Sequence, residues 1–221
     1  PRERYNTTFR ERLQSLLLDA FNGSDSEFQA RVSEAVLSRI MVIVRTPDGV
    51  PDDLDVEALE RQIRELSQSW TDRLHAALIE AEGEEEGNRL YRAFGHAFPV
   101  GYQERSAPRA AVPDILAMDH LEQEGGEHLG MTLYRRLEDE PTTVRFKLVR
   151  RDRLLHLSDA LPILENMGLR VLHEQPHPVR NARGTFFSMH DFDMRPFSGA
   201  VVDVEASRAA FQEAFERIWS G

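Results

Sequence analysis

The apolar period changes from about 3.6 residues to two at Gly125-Gly126, and this switch limits what the chain can fold into more than any other feature. Downstream, Leu129, Met131 and Leu133, and then Val144, Phe146 and Leu148, alternate on either side of a turn at Asp139-Glu140-Pro141. Alternation sets one face of an extended chain against a core, so both runs are expected as strands. Ser158 is expected to cap a helix running to Met167, with Leu161, Leu164 and Met167 as its buried stripe and Gly168 just past its end. Leu169 to Leu172 and Gly184 to Phe192 read as two more strands. Asp203 to Trp219 reads as a closing helix with Val204, Phe211, Phe215, Ile218 and Trp219 inward. The order β-β-α-β-β-α implies a small antiparallel sheet with helices on one face, the ferredoxin-like class of α+β sandwich.

Upstream of the switch the helical period dominates. Phe9, Leu13, Leu16, Leu17 and Ala20 recur at steps of three and four, predicting an amphipathic helix over residues 6–21 that Asn22-Gly23 stops. Two strands are expected next, over residues 27–33 and 36–44, joined at Ser33-Glu34-Ala35. They form a half-unit whose opening strands are expected outside this chain. The turn cluster Thr46 to Asp52 closes it, because Pro47 and Pro51 lack backbone donors and Gly49 permits positive φ. Leu59, Ile63, Leu66, Trp70, Leu74, Leu78 and Ala81 then predict one long helix between Leu54 and Ala81. A second is expected from Glu84 to Phe98, its acidic first turn favoured by the helix dipole, with Leu90, Tyr91, Phe94 and Phe98 inward. A third is expected from Ser106 to about Leu121, with a break or fresh N1 position at Val112-Pro113. The expected division is 1–47 as the back half of an α+β unit, 48–126 as an all-helical spacer, 127–198 as a second α+β domain and 199–221 as a C-terminal helix.

Composition narrows the chemistry. With no cysteine, thiolate nucleophiles, iron–sulfur clusters and Cys-type zinc sites are excluded. A formal charge of −11 repels a phosphate backbone and disfavours general binding to nucleic acid or to an anionic membrane. No stretch approaches 18 consecutive apolar residues, and the start lacks the apolar core of a secretory signal, so a soluble cytoplasmic protein is expected. The first residue is not Met, and a chain cut from a longer one is expected.

The strings with chemical potential have plainer explanations. His173-Glu174-Gln175-Pro176-His177 matches H-E-x-x-H, but that pattern binds zinc only from a helix. Here Pro176 and the strand-like approach point to a strand end with two exposed histidines. His190-Asp191-Phe192-Asp193 reads as a polar strand end at a sheet rim. Arg135-Arg136 and Arg150-Arg151-Asp152-Arg153 are expected to be solvated strand ends, since an RNA-reading sheet needs more interleaved aromatics than Phe146. Ser158, Asp159 and His156 could be written as a triad, yet no G-x-S-x-G turn accompanies them and capping accounts for Ser158. Neither G-x-G-x-x-G nor G-x-x-x-x-G-K-[ST] occurs, so neither common glycine turn for a dinucleotide or triphosphate is present.

Particular strings carry a resemblance. Leu157-Ser158-Asp159-Ala160-Leu161-Pro162-Ile163-Leu164-Glu165-Asn166-Met167-Gly168-Leu169-Arg170-Val171 resembles the large, bacterial-type NAD-specific glutamate dehydrogenases. So do Arg45-Thr46-Pro47-Asp48-Gly49-Val50-Pro51, Gly83-Glu84-Glu85-Glu86-Gly87 and Phe98-Pro99-Val100-Gly101-Tyr102, in family order. The resemblance implies an internal slice of that enzyme's long N-terminal region, holding tandem ACT-like domains and helical segments upstream of a separate catalytic domain. It implies the whole-protein reaction, oxidative deamination of L-glutamate to 2-oxoglutarate and ammonia with NAD as hydride acceptor. No catalytic, cofactor-binding or metal-binding residue is assigned to this segment, and NAD is expected to bind elsewhere in the full-length enzyme. Lys147 lies in an expected strand and matches no substrate-lysine motif. The β-β-α-β-β order departs from the βαββαβ order of ACT domains.

The expected role is a regulatory and assembly segment whose partners are the rest of the enzyme, further copies of itself and an amino-acid effector. The candidate effector contacts are Arg153, Ser158 and Asp159, because a helix N-terminus favours a carboxylate. The alternative is a stand-alone ACT-like amino-acid-sensing or interaction module, whose exposed sheet edges would pair between copies.

Overall fold

The computed structural model describes residues 7–31, 39–125 and 128–220, and the chain divides into two compact units, Pro1–Asp72 and Arg73–Gly221. In the first, α1 (Thr7–Ala20) packs on an antiparallel pair, β1 (Asp25–Arg31) and β2 (Arg39–Arg45), with Phe28 opposite Val42. Asn22, at φ 49°, ends α1, and the Gly23 N–H returns to the Leu18 carbonyl at 2.8 Å. Gly23 has no room for a side chain, because a Cβ there would lie 2.4 Å from Val44. The expected strand junction at Ser33-Glu34-Ala35 lies outside the described residues, as does Gly126.

The single long helix expected between Leu54 and Ala81 is instead two, α2 (Val56–Ser67) and α3 (Trp70–Glu82). Gln68 is extended at ψ 128°, and Ser69 and Asp72 cap each other. The Ser69 N–H donates to the Asp72 carboxylate at 2.9 Å, and the Asp72 N–H donates to the Ser69 hydroxyl at 3.1 Å. This reciprocal cap satisfies donors that a helix start leaves open. The apolar stripe hides the break, since Leu66 and Trp70 stay four residues apart across it.

In the second unit, α4 (Glu84–Phe94) ends four residues before Phe98, and the chain continues through α5 (Val100–Arg105). A 3-10 turn at Pro108–Ala111 then leads into α6 (Val112–Glu124), where Pro113 takes a first-turn position. Arg89 of α4 grips Asp119 of α6 through two hydrogen bonds of 2.9 and 2.6 Å. Such a paired fork is strong and fixes the orientation of both groups.

The sheet comprises β3 (Leu129–Tyr134), β4 (Val144–Arg151), β5 (Leu169–Arg180) and β6 (Phe186–Pro196) in the order β3-β4-β6-β5, all antiparallel. On one face Leu133, Phe146, Leu148, Phe192 and Met194 form a core with α7 (Leu157–Asn166) and α8 (Val204–Ser220). Ile218, expected inward on α8, is half exposed, while Phe211, Phe215 and Trp219 pack as expected. The other face is covered too, contrary to the expectation of helices on one side only. Val149, Val179, Phe187 and Met189 are buried there, and Phe94 of α4 meets Phe187 with ring centroids 6.0 Å apart. An apolar second face requires a second cover, which the helical segment supplies.

β5 is much longer than the Leu169 to Leu172 run expected for it, and it takes in Pro176 and Pro178. It is an edge strand, where positions lacking an N–H can stay off the hydrogen-bonded ladder. The N-cap of α7 is His156 rather than Ser158, which lies in the first turn, and Pro162 sits within the helix.

Candidate functional site

The face of the sheet that meets α5 and α6 carries a polar strip built by register. Thr132, Lys147, Asp191 and Gln175 lie side by side across β3, β4, β6 and β5, and Tyr134, Arg145, Asp193 and His173 form the next row. Neighbours across antiparallel strands share a face, so residues far apart in sequence become a cluster. Lys147 is the sequence's single lysine, and it is 6% exposed. Its ammonium donates to Asp114 Oδ2 at 2.5 Å, and Asp114, in the first turn of α6, is 3% exposed. The Tyr102 hydroxyl of α5 donates to the same oxygen at 2.5 Å. The Lys147 nitrogen lies 5.5 Å from the Tyr102 ring centre and 5.3 Å from that of Tyr134, within range of cation–π attraction. One ammonium is thus held by a carboxylate and two aromatic faces.

The network continues along the strip. Tyr134 donates to Asp191 at 2.7 Å, and the Arg136 guanidinium stands 3.7 Å from the same carboxylate. Arg145 binds both oxygens of Asp139 at 2.7 and 2.8 Å and lies 3.6 Å from Asp193. Burial, reinforced by Asp114, pushes the Tyr102 hydroxyl well above its ordinary range, and burial with Asp191 does the same to Tyr134. Burial also raises Asp191, while the hydrogen-bonded Arg145 holds Asp139 low. His177, edge-on to Tyr102 at 5.1 Å, falls to about 4 through burial and then the charges of Lys147 and Arg105. Two cavities open beside this strip, of about 410 and 500 Å³. The arrangement is a charge-paired network suited to holding a ligand, and it has no nucleophile aligned with a base.

On the opposite face a serine hydroxyl meets a histidine backed by a carboxylate. Ser188 Oγ and His190 Nε2 are 3.2 Å apart, and His190 Nδ1 is 2.5 Å from Glu174 Oε1. Both Ser188 and His190 are buried, and Ser188 Oγ also accepts the Leu155 N–H at 3.3 Å. This relay ties the segment before α7 to β6. It also corrects two expectations. The string from His190 to Asp193 lies inside a central strand and not at a rim, and His177 is buried although both histidines of the H-E-x-x-H string were expected exposed. Within that string Glu174 pairs with His190 on the α7 side, while His173 and His177 belong to the polar strip. Among the described residues no group of three or more His, Asp or Glu is placed to hold a metal ion.

The sequence-expected effector contacts lie around the start of α7. Arg153, Ser158 and Asp159 are exposed, and the Ser158 hydroxyl donates to Asp159 at 3.3 Å. They are remote in the fold from the polar strip, because α7 covers the other face. The arginines expected as solvated strand ends are partly structural. Arg135 donates to the Thr143 and Val202 carbonyls, and Arg151 to that of Leu121, each at 2.8 Å. Asp114, Tyr102 and Tyr134 carry no motif that marks them in the sequence, and Lys147, matching no substrate-lysine motif, is marked only as a lone lysine within an apolar alternation.

A ββαββα sandwich clasped by helices, following a smaller α+β unit, defines an ACT-like α+β protein. Residues 128–207 match the glutamate dehydrogenase ACT3 domain, residues 1–71 its ACT2 domain and residues 77–121 its helical motif 2. The chain is composed of these three regions of the glutamate dehydrogenase family. Over all 221 residues it is 37% identical to the NAD-specific glutamate dehydrogenase of Halomonas elongata and 36% identical to that of Pseudomonas aeruginosa. It is 28% identical over 238 residues to that of Mycobacterium tuberculosis, and it spans 14% of the length of each of these enzymes.

Proposed function

We propose that this chain is a non-catalytic regulatory and assembly segment of a cytoplasmic, NAD-dependent glutamate dehydrogenase. The whole protein would convert L-glutamate, NAD and water to 2-oxoglutarate, ammonia and NADH. The observation that carries this reading is the consecutive run of ACT2, helical motif 2 and ACT3 matches along a sequence that has neither glycine turn for a nucleotide. Under this reading NAD binds in another part of the enzyme. The partners of this chain are then the remainder of that enzyme, further copies and an amino-acid effector.

The test is direct. The purified chain, given L-glutamate and NAD, is expected to produce no NADH absorbance, and steady turnover would overturn the non-catalytic role. Arg153, Ser158 and Asp159 belong to the proposal as an effector corner, where an exposed guanidinium and a helix start offer a carboxylate two favourable contacts. Arg153→Ala and Ser158→Ala are each expected to weaken amino-acid binding measured by calorimetry; unchanged binding removes the corner from the reading.

A further inference from the structure

The two cavities beside the polar strip differ in chemistry and share a wall. The smaller, about 410 Å³, has Ala107, Ala110, Pro113, Leu137 and the Tyr134 ring among its lining. Leu137 is fully exposed, leaving an apolar side chain in water at the cavity's edge. The larger, about 500 Å³, is lined almost wholly by charged and polar side chains. Arg105, Ser106 and Arg136 line both and therefore stand where the two join.

The neighbouring cations are already engaged. Lys147 is hydrogen-bonded to Asp114, Arg145 is held by Asp139, and Arg135 binds two carbonyls. The carboxylate nearest to the Arg136 guanidinium, that of Asp191, stands at 3.7 Å, beyond hydrogen-bond range, and Arg105 makes no side-chain hydrogen bond or ion pair among the described residues. A guanidinium with open donors is matched to a carboxylate, which it can hold through two parallel bonds. Net charge refines the match. With Arg145 held by Asp139 and Glu174 turned to His190 on the other face, Arg105 and Arg136 are balanced in the larger cavity by Asp191 and Asp193, so a neutral zwitterion fits better there than a simple anion.

We propose that the joined cavities bind an α-amino acid with an uncharged, apolar side chain. Its carboxylate meets Arg105 and Arg136, its ammonium lies on the side of Asp191 and Asp193, and its side chain enters the apolar cavity. Cavities of a few hundred Å³ are the usual size for small-molecule sites. The site is formed by β3 and the turn after it, β4, β6, β5 and the α5–α6 segment, on the sheet face away from the α7 corner. It deepens the regulatory reading and rests on it for its consequence in the enzyme, though not for binding itself.

Calorimetric titration of the 221-residue chain with L-leucine tests the proposal, with L-aspartate, isocaproate and isoamylamine as controls. L-leucine is expected to bind, and each control, which charges the side chain or deletes one end group, to bind at least about tenfold more weakly. Arg105→Ala removes an exposed guanidinium, and Ala110→Phe fills the apolar cavity from an exposed position. Each is expected to weaken L-leucine binding by at least about tenfold, while circular dichroism melts confirm that the variants fold. Absence of L-leucine binding, or binding unaltered by both substitutions, overturns the proposal. Binding lost only in Arg153→Ala assigns the ligand to the α7 corner, overturning this site while leaving the regulatory reading intact. Binding as expected in a chain that also reduces NAD with glutamate upholds the site and overturns the non-catalytic reading.

Discussion

Burying Lys147 removes an ammonium from water, and the desolvation of several kcal/mol is offset by Asp114 and two tyrosine rings. Lys147→Met would leave the Asp114 carboxylate buried without its cation. Urea unfolding should show a loss of about 3–5 kcal/mol, and adding Asp114→Leu should recover much of it. If the double variant is as unstable as the single one, the pair is not the source of the loss. His177 carries a second residue-scale prediction. It is packed against Tyr102 and feels the charges of Lys147 of β4 and Arg105 of α5 and, across the sheet, of His190 of β6. Its folded value of about 4 lies below the ordinary 6.5, so the unfolded chain binds the proton first. Its contribution is therefore complete above pH 6.5 and is lost as pH falls toward about 4, on the order of 3 kcal/mol. His177→Gln should flatten stability across that window; an unchanged pH slope would rule out this histidine as the cause. Neither residue's role could be read locally. The alternation around Lys147 placed it on a strand, but its partner lies 33 positions away on a helix that meets the sheet only after folding.

At the scale of elements, Gly87 sets how closely two helices meet. A Cβ there would lie 2.7 Å from the Ile79 backbone, so α4 rests directly on α3. Gly87→Ala raises intrinsic helix propensity by about 1 kcal/mol, but it forces two backbones apart at a cost of about 1–3 kcal/mol or more. The steric effect should win, and a lower thermal midpoint is expected; a raised midpoint would show that α4 moves freely. Legibility at this scale followed the range of the signal. Pro113 at a helix start, Asn22-Gly23 as a stop and Gly168, at φ 83°, after α7 all act through local backbone geometry and were visible in the sequence. The Ser69–Asp72 cap was masked by an apolar stripe that continues in phase across it. The full length of β5 was masked by two prolines whose cost vanishes once the strand is at an edge. The second cover of the sheet was hidden because alternation identifies a buried face but cannot say that both are buried.

For the whole molecule, the distribution of buried side chains sets the order of unfolding. Among the described residues of the first unit, Leu13 and Leu59 are the buried hydrophobics, whereas the second unit fully buries Phe94, Phe146, Phe187, Phe192 and Phe215. A two-stranded sheet and a sparse core confer little stability on their own. The first unit should therefore open at lower denaturant than the second, because local stability follows buried apolar contact. The two tryptophans make this measurable, since Trp70 belongs to the first unit and Trp219, stacked on Phe215 at 5.9 Å, belongs to the second. In single-tryptophan variants, Trp219→Phe and Trp70→Phe, fluorescence during urea titration should report an earlier midpoint for Trp70 than for Trp219. Hydrogen exchange should agree, with amides of α1, β1 and β2 losing protection before those of β4 and β6. Coincident midpoints in both experiments would mean that the chain unfolds as one cooperative body despite its uneven core.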